Sequence, residues 1–207
     1  MYTLYFSPGT ASMAVHWLLL ELAVPHELVR VDLGGNEQKS SAYLKLNPSG
    51  VVPTLIIEGV PRYECAALLM LLAERHPEAG FEPAAAARAD YLVWTVHFAN
   101  TLQPAFRAWF YPDEPAGAAN ADAAKAAARI RIEAVWDRVN AQLVGRTYLL
   151  GDAVSALDVY ATMLMRWSRN MPKPATAWPE IAAYVARMTA RPAFKVLYER
   201  EGITDWT

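Results

Sequence analysis

The sequence predicts an α/β domain followed by an all-α domain. Strand patterns occur only in the first third of the chain, where they alternate with helical segments, and every periodic segment beyond residue 87 favours helix. Composition also changes between the two parts, across an alanine-, glycine- and proline-bearing stretch with little apolar bulk.

The elements follow in order. Tyr2–Phe6 reads as a short buried strand, Ser7-Pro8-Gly9 as a turn, and Thr10–Ala23, rich in Ala, Trp and Leu, as a helix closed by Val24-Pro25. Thr10 or Ser12 can cap that helix, because either hydroxyl can accept from an orphan N–H. Glu27–Asp32 alternates polar and apolar residues, as a second strand parallel to the first. A polar loop, Gly34–Lys39, precedes a short helical piece, Ser41–Leu46. Pro53 must then sit at the start or edge of a strand, since it has no N–H for a ladder, and Pro53–Ile57 and Arg62–Tyr63 form the last strand pair. Cys65–Arg75 is a helix ended by His76-Pro77, so the order is β-α-β-α-β-β-α. The expected boundaries are a first domain over 1–78, a linker over 79–87 and a helical domain over 88–207. Its helices are Arg88–Phe110, Asn120–Val144, Ser155–Arg169, Trp178–Ala190 and Pro192–Glu201. Ser155 followed by Asp158 gives a capping box apart from the shorter acid, and losing Asp158 is expected to cost about 0.5–2 kcal/mol, as for a lost cap.

Composition bounds the chemistry. With 207 residues the chain can bury a sizeable core, and no apolar run is long enough to span a membrane. One cysteine excludes an internal disulfide framework and a multi-cysteine metal site. The net charge of −2, with scattered Lys and Arg, argues against a nucleic-acid surface, so small molecules are the expected partners. The opening residues carry no signal-like segment, and the expectation is a cytoplasmic protein. The four histidines do not cluster with acids at metal-ligand spacing, and no metal is expected.

The stretch Asn47-Pro48-Ser49-Gly50-Val51-Val52-Pro53-Thr54-Leu55 is the most informative. If the Val52–Pro53 bond is cis, the N–H and C=O of Val52 face outward and can pair with an extended peptide. A few residues on, Glu64 and Cys65 open a helix whose free N–H groups suit a ligand carboxylate. Asn-Pro-x-Gly-x-Val-Pro-x-Leu followed by Glu-Cys resembles the glutathione-binding half of glutathione transferases, which is thioredoxin-like. Tyr148–Val159 is similar to the capping-box element of their helical domain, so the resemblance covers nearly the whole chain.

What the resemblance implies is a glutathione transferase fold and a co-substrate, glutathione, bound through Val52 and Pro53, with Glu64 and Cys65 at its γ-glutamyl end and Lys39 at its glycyl carboxylate. Cys65 stands where the family usually has serine, which leaves a weaker donor. A thiol with a pKa near ~8.5 is mostly protonated at neutral pH, so the reaction gains from a hydroxyl and helix N–H groups that stabilise the thiolate. Ser7–Met13 resembles the bacterial beta class, which has a cysteine where this chain has Ala11, so activation is assigned to Ser12 or Thr10, with Ser12 preferred. Tyr5 is a weaker donor candidate. For the second substrate, a small hydrophobic electrophile, the expected pocket residues are Met13, Phe106, Arg107 and Phe110, and the beta-class His-Lys pair is replaced by Gln103-Pro104. A detoxifying homodimer is implied by the resemblance alone. The rival readings are a non-catalytic ligand carrier, a protein-interaction module, and a glutathione-dependent disulfide reductase or peroxidase using Cys65.

Overall fold

The computed structural model describes residues 1–206. It holds four strands, β1 (Tyr2–Phe6), β2 (His26–Arg30), β3 (Thr54–Ile57) and β4 (Val60–Tyr63). The helices are α1 (Ser12–Glu21), α2 (Ser41–Leu44), α3 (Cys65–Arg75), α4 (Arg88–His97), α5 (Gln103–Phe110), α6 (Asp113–Ala116), α7 (Ala121–Leu143), α8 (Ala156–Trp167), α9 (Pro179–Thr189) and α10 (Pro192–Glu201). The chain forms two compact units. One is Met1–Glu82 together with the stretch from Thr189 onward, and the other is Pro83–Met188. By packing, α10 therefore belongs with the first unit, whereas the sequence reading grouped it with the helical domain.

In the first unit the sheet order is β2-β1-β3-β4. β1 runs parallel to β2 and antiparallel to β3, which pairs antiparallel with β4. Alternation along β1 buries Tyr2, Leu4 and Phe6 on one face. That face carries α1 and α3, and the Phe6 ring meets His16 of α1. On the opposite face Tyr5 meets Tyr43 of α2. Ser12–Leu19 of α1 is buried throughout, because α1 lies among the sheet, α3 and α10. Trp17 packs edge-on against Phe194, and Arg191 clamps Glu21 with bonds of 2.6 and 2.8 Å.

The register places the ends of this sheet. Tyr5 pairs with Thr54, and Thr54 with Tyr63, while Phe6 lies beside Arg30. The turn after β1, the residues before β3 and the residues after β4 therefore leave the sheet at one end.

In the second unit, the segment expected as one helix over Arg88–Phe110 is broken. A π-helical turn spans Phe98–Leu102, with the Gln103 N–H reaching the Phe98 carbonyl. Pro104 has no N–H to give to the carbonyl four residues back, and the wider turn absorbs the defect. Helix α8 is buried along most of its length and starts at Ser155. The Asp158 carboxylate accepts from the Ser155 N–H at 2.7 Å, as the capping-box pattern predicts, and also from the Ser155 hydroxyl at 2.9 Å, the Leu149 N–H and the Tyr184 hydroxyl. No helix among the described residues is long and apolar enough to cross a membrane.

Candidate functional site

Three stretches expected to act together meet at one end of the sheet. The Val52–Pro53 bond is cis. Val51 and Val52 lie in a loop just before β3, and Val52 is buried as a side chain. Among the described residues its N–H and C=O have no hydrogen-bond partner, although the carbonyl of Val51 beside it has two. Glu64 sits at φ +74° as the residue before α3, a conformation that costs a non-glycine residue on the order of 1–3 kcal/mol and is characteristic of binding sites. Its side chain is exposed and does not cap the helix, so the first N–H groups of α3 remain available for an anion.

Cys65 is turned the other way. Its thiol is buried and donates to the Ala11 carbonyl at 3.3 Å, tying the start of α3 to the start of α1. Burial pushes the thiol well above its ordinary range, with the neighbouring Glu64 adding to the effect. The side chain is thus a structural tether, and only its backbone N–H is offered at the helix start. A thiol so held is a poor redox centre.

Lys39 is exposed, and its Nζ donates to the Ser49 carbonyl at 3.3 Å. It lies over the Asn47–Gly50 turn so closely that a Cβ at Gly50, where φ is +59°, would come within 2.8 Å of Nζ. The positive φ favours glycine there, while the flexible Lys39 end could swing aside.

The two N-terminal hydroxyls differ. Ser12 Oγ accepts from the Ser7 N–H at 3.1 Å, contacts the Ser7 carbonyl at 3.0 Å and Thr10 Oγ1 at 2.9 Å, and the residue is 0 % exposed. Its hydrogen-bonding capacity is taken up inside the turn. Thr10 is partly exposed and donates to the Ser7 carbonyl at 2.7 Å, a bond it can exchange because Ser12 serves the same acceptor. Neither hydroxyl occupies the N-cap of α1, which is Ala11, and the Ala11 N–H is unpaired among the described residues. Tyr5 packs against Tyr43 on the far side of β1 from His16.

Family models described as the N-terminal and C-terminal domains of glutathione S-transferase match residues 1–80 and 96–192. A glutathione S-transferase, GST-4.5, of Xanthomonas campestris is 30% identical over 208 residues, which cover 97% of this chain and 98% of the relative. The chain belongs to the glutathione S-transferase family. Escherichia coli O157:H7 GstA, a glutathione S-transferase, is 27% identical, with 97% and 98% covered. Among solved structures, a glutathione transferase homologue from Sulfitobacter with bound glutathione superposes with a TM-score of 0.90 at 30% identity and covers 99% of both chains.

The residues expected to line a pocket for the second substrate of a glutathione S-transferase differ in burial and in partners. Met13 is fully buried inside the first unit and Phe106 is fully buried inside the second, against Trp136 and Trp167. Both are core, because aromatic and apolar residues at helical spacing face inward as readily as outward. Arg107 is held by two bonds to Glu114, one of 2.7 Å, and stacks on Tyr111 at 4.1 Å, so its charge is already matched. Phe110 is 46 % exposed, stacks on Phe106 and meets Trp167 edge-on, which leaves it the one expected pocket residue presenting an aromatic surface. Gln103 accepts from the Tyr160 hydroxyl.

Residues outside the sequence reading complete the first unit's site. Glu201 of α10 accepts from the Gly9 N–H at 2.9 Å with one oxygen and meets His16 Nδ1 at 2.9 Å with the other. It therefore holds the turn that carries Thr10. His76 and Tyr2 hydrogen-bond at the opposite end of β1 and take no part here.

Proposed function

We propose that this chain binds glutathione along the Val52 edge and activates its thiol for conjugation to small hydrophobic electrophiles. The observation that carries this is the unpaired main chain of Val52, set between a cation at Lys39 and the open helix start behind Glu64. The cysteinyl part of the tripeptide pairs with Val52. Its γ-glutamyl carboxylate meets the Cys65 N–H and its ammonium meets Glu64, while Lys39 takes the glycyl carboxylate. The sulfur then lies toward Thr10 and the Ala11 N–H, where a hydroxyl and the positive end of α1 stabilise the thiolate. Holding the thiolate beside the acceptor supplies proximity as well as activation. The protein works as a cytoplasmic homodimer in detoxification.

A chromogenic conjugation assay across pH tests the assignment. Each unit of thiol pKa corresponds to about 1.4 kcal/mol, so removing the Thr10 hydroxyl should move the acid limb of kcat/KM up by about one pH unit and lower neutral-pH activity several-fold. Ser12→Ala should leave that limb in place and lower the melting temperature instead. The opposite pattern would return the role to Ser12. The closed hydroxyl of Ser12 and the alanine at position 11 also favour a second reading, a ligand carrier. Retention on immobilised glutathione without turnover would select it.

A further inference from the structure

Two donors converge on one carbonyl oxygen beside the proposed binding edge. The Tyr43 hydroxyl donates to Val51 O at 2.8 Å and the Asn47 side-chain amide donates to the same oxygen at 2.8 Å. Val51 C=O and Val52 N–H belong to a single trans peptide unit, which is planar, so they point to opposite sides of it. Whatever fixes the oxygen aims the hydrogen. Two donors on the oxygen also polarise the amide and strengthen the N–H as a donor.

We propose that Tyr43 is a positioning residue for glutathione capture: with Asn47 it locks the Val51–Val52 peptide so that the Val52 N–H stands ready for the tripeptide. This rests on the reading that glutathione binds at Val52. The phenol is itself held in place. Its ring packs with Val31 and Val52, with Tyr5 and Leu33 against them, and its oxygen lies 2.8 Å from the buried Thr54 hydroxyl. Because the phenol donates to Val51, Thr54 is the donor in that second contact. Its backbone is anchored too, the Tyr43 N–H reaching the Ser40 hydroxyl at the start of α2. Asn47 is fully buried, and its side-chain oxygen accepts from the Ser49 N–H, so the turn and the peptide plane are set together. An edge ordered before the ligand arrives loses less entropy on binding.

Tyr43→Phe alone would strand the Thr54 hydroxyl, so the test compares Thr54→Val with the double variant Tyr43→Phe/Thr54→Val, alongside the wild type. The step from the single to the double variant removes the bond to Val51 and orphans no buried group. Glutathione affinity is measured by calorimetry, and steady-state rates with a chromogenic acceptor. The double variant should raise the Kd and KM for glutathione about 3- to 10-fold over the single variant, the size of one good hydrogen bond. At saturating glutathione, kcat and the acceptor KM should not change. Equal glutathione affinity in the two variants, in a wild type that binds, would overturn the role of Tyr43 and leave the binding edge standing. Parallel losses in kcat and in both KM values would mark Tyr43 as structural only. A wild type that gives no heat with glutathione would remove the edge and the positioning role together.

Discussion

Asp158→Ala lowers the melting temperature by about 6–20 °C, more than the loss of a helix cap alone. The cap alone sets the cost at about 0.5–2 kcal/mol. Here the carboxylate also accepts from the Leu149 N–H at 3.0 Å and the Tyr184 hydroxyl at 2.9 Å, inside a core where neither donor has water to turn to. Burial raises the Asp158 carboxyl above its ordinary range, and the four donors oppose that rise. Truncation leaves several buried polar groups unpaired at once, at about 1–3 kcal/mol for each that finds no substitute, so a total of about 3–5 kcal/mol is expected. Thermal and urea denaturation measure it. A melt within 2–4 °C of wild type, about what 1 kcal/mol gives in a chain of this size, would show that the donors find other partners.

Glu201→Ala is the second large effect, and it reaches both stability and activity. The side chain is fully buried and bridges the Gly9 N–H and His16 Nδ1. His16 Nε2 is already buried without a partner, so removing Glu201 leaves the imidazole with no hydrogen bond on either nitrogen. Each buried polar group left without a partner costs about 1–3 kcal/mol. Losing the bond from the Gly9 N–H also weakens the anchoring of the turn that carries Thr10, so kcat/KM should fall as well. Glu201→Gln keeps an acceptor for Gly9 and a polar group for His16, and should recover most of the stability. Equal melting temperatures for Glu201→Ala and the wild type would refute the bridge.

Local chemistry explains what could be read from the sequence. The turn from Asn47 to Pro53, the helix opening at Cys65 and the start of α8 at Ser155 all depend on residues within a few positions of one another, and such patterns are visible in a string. The first unit's strands were legible for the same reason. Glu201 was not: it meets His16 across 185 positions, and nothing local marks a glutamate near a helix end as a buried bridge. Tyr43 was hidden in a four-residue helix whose only signal is its capping serine. The burial of the expected pocket residues was hidden for a different reason. Helical spacing shows that Phe106 and Phe110 lie on neighbouring parts of one surface, but packing against Trp136 and Trp167 decides that the first is core and the second half exposed. Spacing likewise cannot show that Arg107 is matched by Glu114. The break at Phe98–Leu102 traces to Pro104, whose missing N–H acts upstream of its own position.

The most direct measurement is a crystal structure of the protein soaked with glutathione. The account predicts the tripeptide extended beside Val52 in paired contact with its N–H and C=O. Its γ-glutamyl carboxylate should sit at the Cys65 N–H, and its sulfur should be nearer Thr10 Oγ1 than Ser12 Oγ. Density for the tripeptide at any other surface, or none at the Val52 edge under saturating glutathione, would contradict it.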